Sequence, residues 1–243
     1  MKKRRFFALF LSFALLLPLF SLTSADAYED FTLDAKAGLL IEADTGEILY
    51  EKNAHQENYP ASLTKVMVAL LVFEAIDEGK IALTDSVTAT ESAFEGLSSD
   101  GSTANIVPGE TMTVEQLLNC MLIVSANEAC NILGETLYGS VDAFVARMNE
   151  RAAELGCEHT HFANATGLHN SQHYTTAWDL YLITREALKH DKFMEICNSK
   201  SYTVPATNMT DKPRELHSTN FLISNWRARG YVYRDAQGIK TGS

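Results

Sequence analysis

Ser62 and Lys65 stand three residues apart at the head of an apolar run from Val66 to Ile76, interrupted only by Glu74. In a helix that spacing puts the hydroxyl and the amine on one face. Pro60 suits entry into a helix and Gly79 an exit, so the stretch Pro60 to Lys80 predicts one helix of about five turns. Its side chains are apolar almost all the way round, which argues for a helix through the middle of a domain rather than on its surface. A lysine at the positive, N-terminal end of such a helix is disfavoured as a cation by desolvation and by the helix dipole, so its pKa should fall. A neutral amine beside a hydroxyl is a base beside a nucleophile. Taken alone the pair has a plainer explanation, a capping serine and a lysine whose stem lies along apolar surface.

Two further short motifs change that balance. Ser125-Ala126-Asn127 falls where one helical pattern stops and the next begins, and Lys240-Thr241-Gly242 falls in a late segment that reads as a strand. The elements that must carry them can be read in outline. Leu39 to Ala43 and Glu47 to Glu51 flank Asp44-Thr45-Gly46, which predicts an antiparallel hairpin ahead of the buried helix. From Leu83 to Asp100 the chain is polar and broken, with turn signals to Gly109. Thr113 with Gln116 forms a capping box before an amphipathic helix. Helical patterns follow at Glu128 to Tyr138, around Phe144 and Met148 with a finish at Gly156, and at Trp178 to Ala187. Strand signals return at Tyr202 to Pro205, Gly230 to Tyr233 and Gly238 to Ser243. The fold class is therefore α+β, an antiparallel sheet flanked by helices with an all-helical subdomain in the middle third.

Of 243 residues, 46% are hydrophobic and 21% charged, enough for one large domain or two small ones. Lys2 to Arg5, the apolar run Phe6 to Phe20 and Ala25-Asp26-Ala27 have the three regions of a secretory signal peptide, predicting residues 1–27 as a leader cleaved near Ala27 and export from the cytoplasm. Loss of its four basic and one acidic residues takes the formal charge from −11 to −14. A chain this acidic is a poor partner for nucleic acid or anionic lipid. Cys120, Cys130, Cys157 and Cys197 form no CxxC pair, and a domain of this size does not need staples, so buried free thiols are expected. His169 and His173 have the four-residue spacing of a helical zinc pair, but position 170 is Asn where the metalloprotease motif needs Glu, and Gly167 argues for a loop. No metal and no cofactor is implied.

Ser62-Leu63-Thr64-Lys65, Ser125-Ala126-Asn127 and Lys240-Thr241-Gly242, in that order, are the set found in penicillin-binding proteins and class A β-lactamases. The sequence resembles the D-alanyl-D-alanine carboxypeptidases, the low-molecular-mass penicillin-binding proteins. The resemblance extends over nearly all of residues 28–243, through the hairpin, the loop Phe162 to His169, His173 to Ala177 with Asp179, and Ser218-Thr219-Asn220. It implies a β-lactamase/DD-peptidase-like fold and peptidoglycan stem peptides ending in D-Ala-D-Ala as substrate, with β-lactam antibiotics as covalent inhibitors. It implies Ser62 as nucleophile, Lys65 as its base, Ser125 as a proton relay and Asn127 as a contact to the substrate peptide group and to Lys65. Lys240 would keep Lys65 neutral and, with Thr241, receive the substrate carboxylate, beside Gly242; the backbone amides of Ser62 and Ser243 would form the oxyanion hole. In that family the motif strand is followed by two more strands and a closing helix, and many members add a β-rich domain and a membrane anchor. The resemblance therefore implies a catalytic domain cut just after its Lys-Thr-Gly motif, with membrane association only through segments beyond it. Two alternatives remain: a β-lactamase, whose deacylating glutamate loop is not evident, and a non-catalytic wall-binding protein of the same fold.

Overall fold

The helix expected at Pro60 to Lys80 is built in two parts. A 3₁₀ turn over Ala61–Thr64 leads into an α-helix, α1, over Lys65–Asp77, and the chain leaves it through Gly79 in the left-handed conformation. Every residue from Lys65 to Phe73 is buried. The acidic interruption is explained by Arg151, which donates to Glu74 through Nε at 2.9 Å and Nη2 at 2.7 Å. The computed structural model describes residues 32–242, so the leader expected at 1–27 and Ser243 lie outside the described residues. From Lys36 onward the described residues belong to one compact unit. Among them no helix is long and apolar enough to cross a membrane.

Around α1 the helices fall close to their expected places. Val114–Ile123 (α2) starts at the reciprocal capping box of Thr113 and Gln116, and Asn127–Tyr138 (α3) ends at Gly139 in the left-handed region. Val141–Glu154 (α4) buries Phe144 and Met148, and its Phe144 ring packs so tightly on α3 that a Cβ at Gly134 would stand 2.5 Å from it. Ala177–Ala187 (α5) packs on α1, and Asp191–Cys197 (α6), which no sequence signal announced, packs on α2. All four cysteines are buried free thiols.

Among the described residues the strands form three two-stranded antiparallel ladders. Gly38–Ile41 (β1) pairs with Ile48–Lys52 (β2) as expected, with an irregularity at Leu40/Ile41. Ser86–Thr88 (β3) pairs with Thr111–Thr113 (β4), so the stretch read as broken begins with a strand. Ser201–Val204 (β5) pairs with Arg214–His217 (β6). Gly230 to Tyr233 and Gly238 to Gly242 were expected as strands, but neither is one. A strand exists only through its ladder, and among the described residues no strand pairs with either segment. The second is held instead by the Gly238 N–H donating to Asn198 Oδ1 at 2.8 Å and by close packing against Cys197.

Candidate active site

Lys65 is fully buried, and three oxygens surround its Nζ: Thr166 O at 2.5 Å, Asn127 Oδ1 at 2.8 Å and Ser62 Oγ at 3.1 Å. No carboxylate is among its contacts. Burial pushes the amine well below the ordinary lysine range, opposed only by the more distant Cys130 and Glu128. A neutral amine has two N–H donors and one lone pair. The two carbonyl oxygens can only accept, so they take both N–H groups and leave the lone pair for the Ser62 hydroxyl.

The 3₁₀ turn makes this possible, because residues three apart are eclipsed in it. Its first residue, Ala61, has φ +48°, a costly conformation for a residue with a Cβ. The loop Phe162 to Leu168 presses on this turn from below. Gly167, at φ +86°, lies so close that a Cβ there would stand 1.9 Å from Ala61 O. Asn164 Oδ1 accepts from the N–H of Thr166 and Gly167 and from the Thr166 hydroxyl, which fixes the carbonyl that holds Lys65. His173 fastens the loop to the turn: its Nδ1 accepts from Ala163 N–H at 3.1 Å, so Nε2 carries the proton and donates to Thr64 Oγ1 at 2.7 Å. Burial, with repulsion from His161 and Lys65, lowers the imidazole pKa to about 4. The histidine read as a decoy for zinc is a neutral strut, and among the described residues no cluster could hold a metal.

Ser125 and Asn127 sit at the α2–α3 break. Ser125 has φ +67°, and its buried Oγ is the one described buried polar side-chain atom without a partner. It lines a cleft of about 480 Å³ together with Ser102, Thr219, Arg227, Thr241 and Gly242. No hydrogen bond joins it to Ser62 or Lys65, so of the expected proton relay only the placement at the cleft is present. The Asn127 N–H donates to Ser102 O at 2.9 Å, and its amide nitrogen lies where a Cβ on Gly101 would be at 2.8 Å. Glu128, buried behind it, accepts from Thr103 Oγ1 at 2.7 Å and from Ala104 N–H at 2.8 Å, tying the loop that carries Ser102 to α3.

The third motif closes on the first. A Cβ at Gly242 would lie 3.1 Å from Pro60 O and 3.2 Å from Leu63 Cγ, so this backbone runs directly against the nucleophile turn. Thr241 Oγ1 shares a 2.7 Å hydrogen bond with Thr219 Oγ1, a cleft residue for which the sequence offered only its place in the Ser218-Thr219-Asn220 match. Lys240 Nζ donates to Thr241 O at 2.8 Å. Its pKa falls to about 8, through burial first and repulsion from Lys65 second. Burial is the largest cause holding Lys65 neutral, and the repulsion between Lys65 and Lys240, which is mutual, acts in the same direction. The Thr166 carbonyl went unnoticed because a backbone oxygen carries no residue signature. Gly167 stood in the quoted loop without a role, whereas His173, expected to pin that loop beneath the site, ties it to Thr64.

The arrangement can acylate a serine, and known proteins with this chain pattern bear on which reaction that serves. The family model for D-alanyl-D-alanine carboxypeptidase matches residues 23–243. The D-alanyl-D-alanine carboxypeptidase DacF of Bacillus subtilis is 39% identical over 209 residues, covering 86% of this chain and 51% of that protein. DacA of Escherichia coli, of the same designation, is 33% identical over 215 residues, covering 86% and 50%. This chain thus spans about half the length of those relatives. The solved structure of the Streptomyces K15 DD-transpeptidase superposes with a TM-score of 0.78 at 30% identity, covering 89% of this chain and 82% of that one. With a family model matched from residue 23 onward and a Bacillus subtilis relative 39% identical over 86% of this chain, the chain belongs to the D-alanyl-D-alanine carboxypeptidase family.

Proposed function

We propose that residues 28–243 are the catalytic portion of an exported serine-type D-Ala-D-Ala carboxypeptidase, made with a leader over residues 1–27, that removes the terminal D-alanine of peptidoglycan stem peptides. The observation that carries this reading is the Lys65 environment: two carbonyl acceptors, no carboxylate, and a lone pair left for Ser62. Ser62 Oγ bonds to the carbonyl carbon of the penultimate D-alanine while its proton passes to Lys65 Nζ. The C–N bond then breaks, and the leaving amine takes a proton through Ser125, whose unpartnered hydroxyl at the cleft suits that relay. Asn127, with its oxygen committed to Lys65, has its amide N–H groups free for a substrate carbonyl. Thr241, its Thr219 partner and Lys240 receive the substrate carboxylate, and Gly242 lets the motif backbone lie against the turn. The Ser62 amide donates to the developing oxyanion. The second donor in this reading, Ser243, lies outside the described residues. Water releases the acyl group, and a β-lactam forms the same ester on Ser62.

Mass spectrometry of the mature chain after benzylpenicillin tests this directly. A mass increase of one penicillin on Ser62, absent in Ser62→Ala, together with D-alanine release from a stem pentapeptide, is the expected result. An unmodified protein would leave a wall-binding role, and release of the penicilloyl group within milliseconds would make the chain a β-lactamase. Release of D-alanine accompanied by transfer to an added amine would extend the activity to transpeptidation, for which the Streptomyces K15 structure is named.

A further inference from the structure

Beneath the nucleophile runs a continuous chain of hydrogen bonds that the reaction steps do not use. Ala163 N–H donates to His173 Nδ1, His173 Nε2–H donates to Thr64 Oγ1, and the Thr64 hydroxyl donates to Ala61 O at 2.8 Å. Each group is used once and in one direction, so the chain has a single proton arrangement. It ends on the residue whose φ of +48° sets the angle of the Ser62 turn. The same loop that His173 fastens also supplies Thr166 O to Lys65 and the close Gly167 backbone to Ala61. Nucleophile and base are thereby set by one imidazole that touches neither. Phe162 meets that ring edge-on at 5.7 Å, which packs it in place.

We propose that His173 is a positioning residue for acylation: its neutral ring holds the strained Ala61 turn and the Thr166 carbonyl at the separation that leaves the Lys65 lone pair on Ser62. This rests on the acyl-enzyme reading above. A held turn of this kind acts on the rate of bond formation rather than on reactant binding, since no atom of the chain faces the cleft. The charged or titratable groups facing the ring are His161 and Lys65, and both oppose a proton on it.

The test is stopped-flow acylation of the full-length protein by a reporter penicillin, resolving the dissociation constant from the acylation rate constant, with concentrations corrected to folded protein. His173→Phe and Thr64→Val, which cut the chain at different links, should each lower the acylation rate constant at least tenfold and leave the dissociation constant within about twofold. The double variant should be no slower than the worse single one, and His173→Gln, whose amide can accept from Ala163 and donate to Thr64, should recover part of the loss. Thr64→Val keeps the ring and the packing, so it serves if His173→Phe does not fold. Rate constants within twofold of the parent in the folded fraction would overturn the inference while leaving the acyl-enzyme reading intact. A parent protein that fails to label would overturn both.

Discussion

Replacing His173 by glutamine should change how stability depends on pH, and the size follows from the fold. In the unfolded chain the imidazole takes a proton near pH 6.5, whereas in the fold burial, with His161 and Lys65 both opposing a proton on the ring, holds that pKa at about 4. The unfolded state therefore binds the proton more readily between those values, and stability is lost as the pH falls from about 6.5 towards 4. The full span of roughly 2.5 units corresponds to about 3.4 kcal/mol at 1.36 kcal/mol per unit, of which about 3 kcal/mol should have gone by pH 4. Carboxylates elsewhere titrate in the same range, so the quantity to measure is the difference between parent and variant. Urea unfolding of the two proteins from pH 7.5 to pH 4 should give curves that converge by about 3 kcal/mol towards acid. His161→Gln, which removes one of the two titratable groups that oppose a proton on the ring, should make that convergence smaller. Curves that stay parallel over the whole range would mean that the ring takes its proton as easily in the fold as out of it, and the strut argument would fail.

Lys65→Met removes the base while filling the same apolar site, so acylation of Ser62 should slow by about 10²–10⁴ with the folded state retained, as read by labelled penicillin against the thermal midpoint. Gly167→Ala places a methyl 1.9 Å from Ala61 O at a residue with φ +86°. Backbone strain alone costs about 1–3 kcal/mol there, and the thermal midpoint and labelling should fall together. Glu110 is buried against the Arg214 guanidinium and accepts from Thr207 Oγ1 at 2.7 Å, joining β6 to the residue before β4. Glu110→Ala leaves that guanidinium without its carboxylate and should lower unfolding stability by about 3–5 kcal/mol in a denaturant titration. A loss under 1 kcal/mol would show that water reaches Arg214.

What the sequence determined by itself are the features that repeat along the chain or depend on one short stretch. An all-apolar run cannot be placed anywhere but inside, and Thr113 with Gln116 states a helix start whatever lies around it; both appear where expected. The candidate residues were legible for the same reason, since Ser62 and Lys65 are bound by local geometry. Tertiary structure decided everything that needs a distant partner. The segments at 230–233 and 238–242 have strand composition but no ladder, because pairing belongs to two stretches and composition to one. Only folding brought a carbonyl from residue 166 and an amide from residue 127 onto one nitrogen at position 65. The neutrality of that amine comes from its burial in a place water does not reach, with no carboxylate in contact, and neither condition is written in the residues that carry out the chemistry.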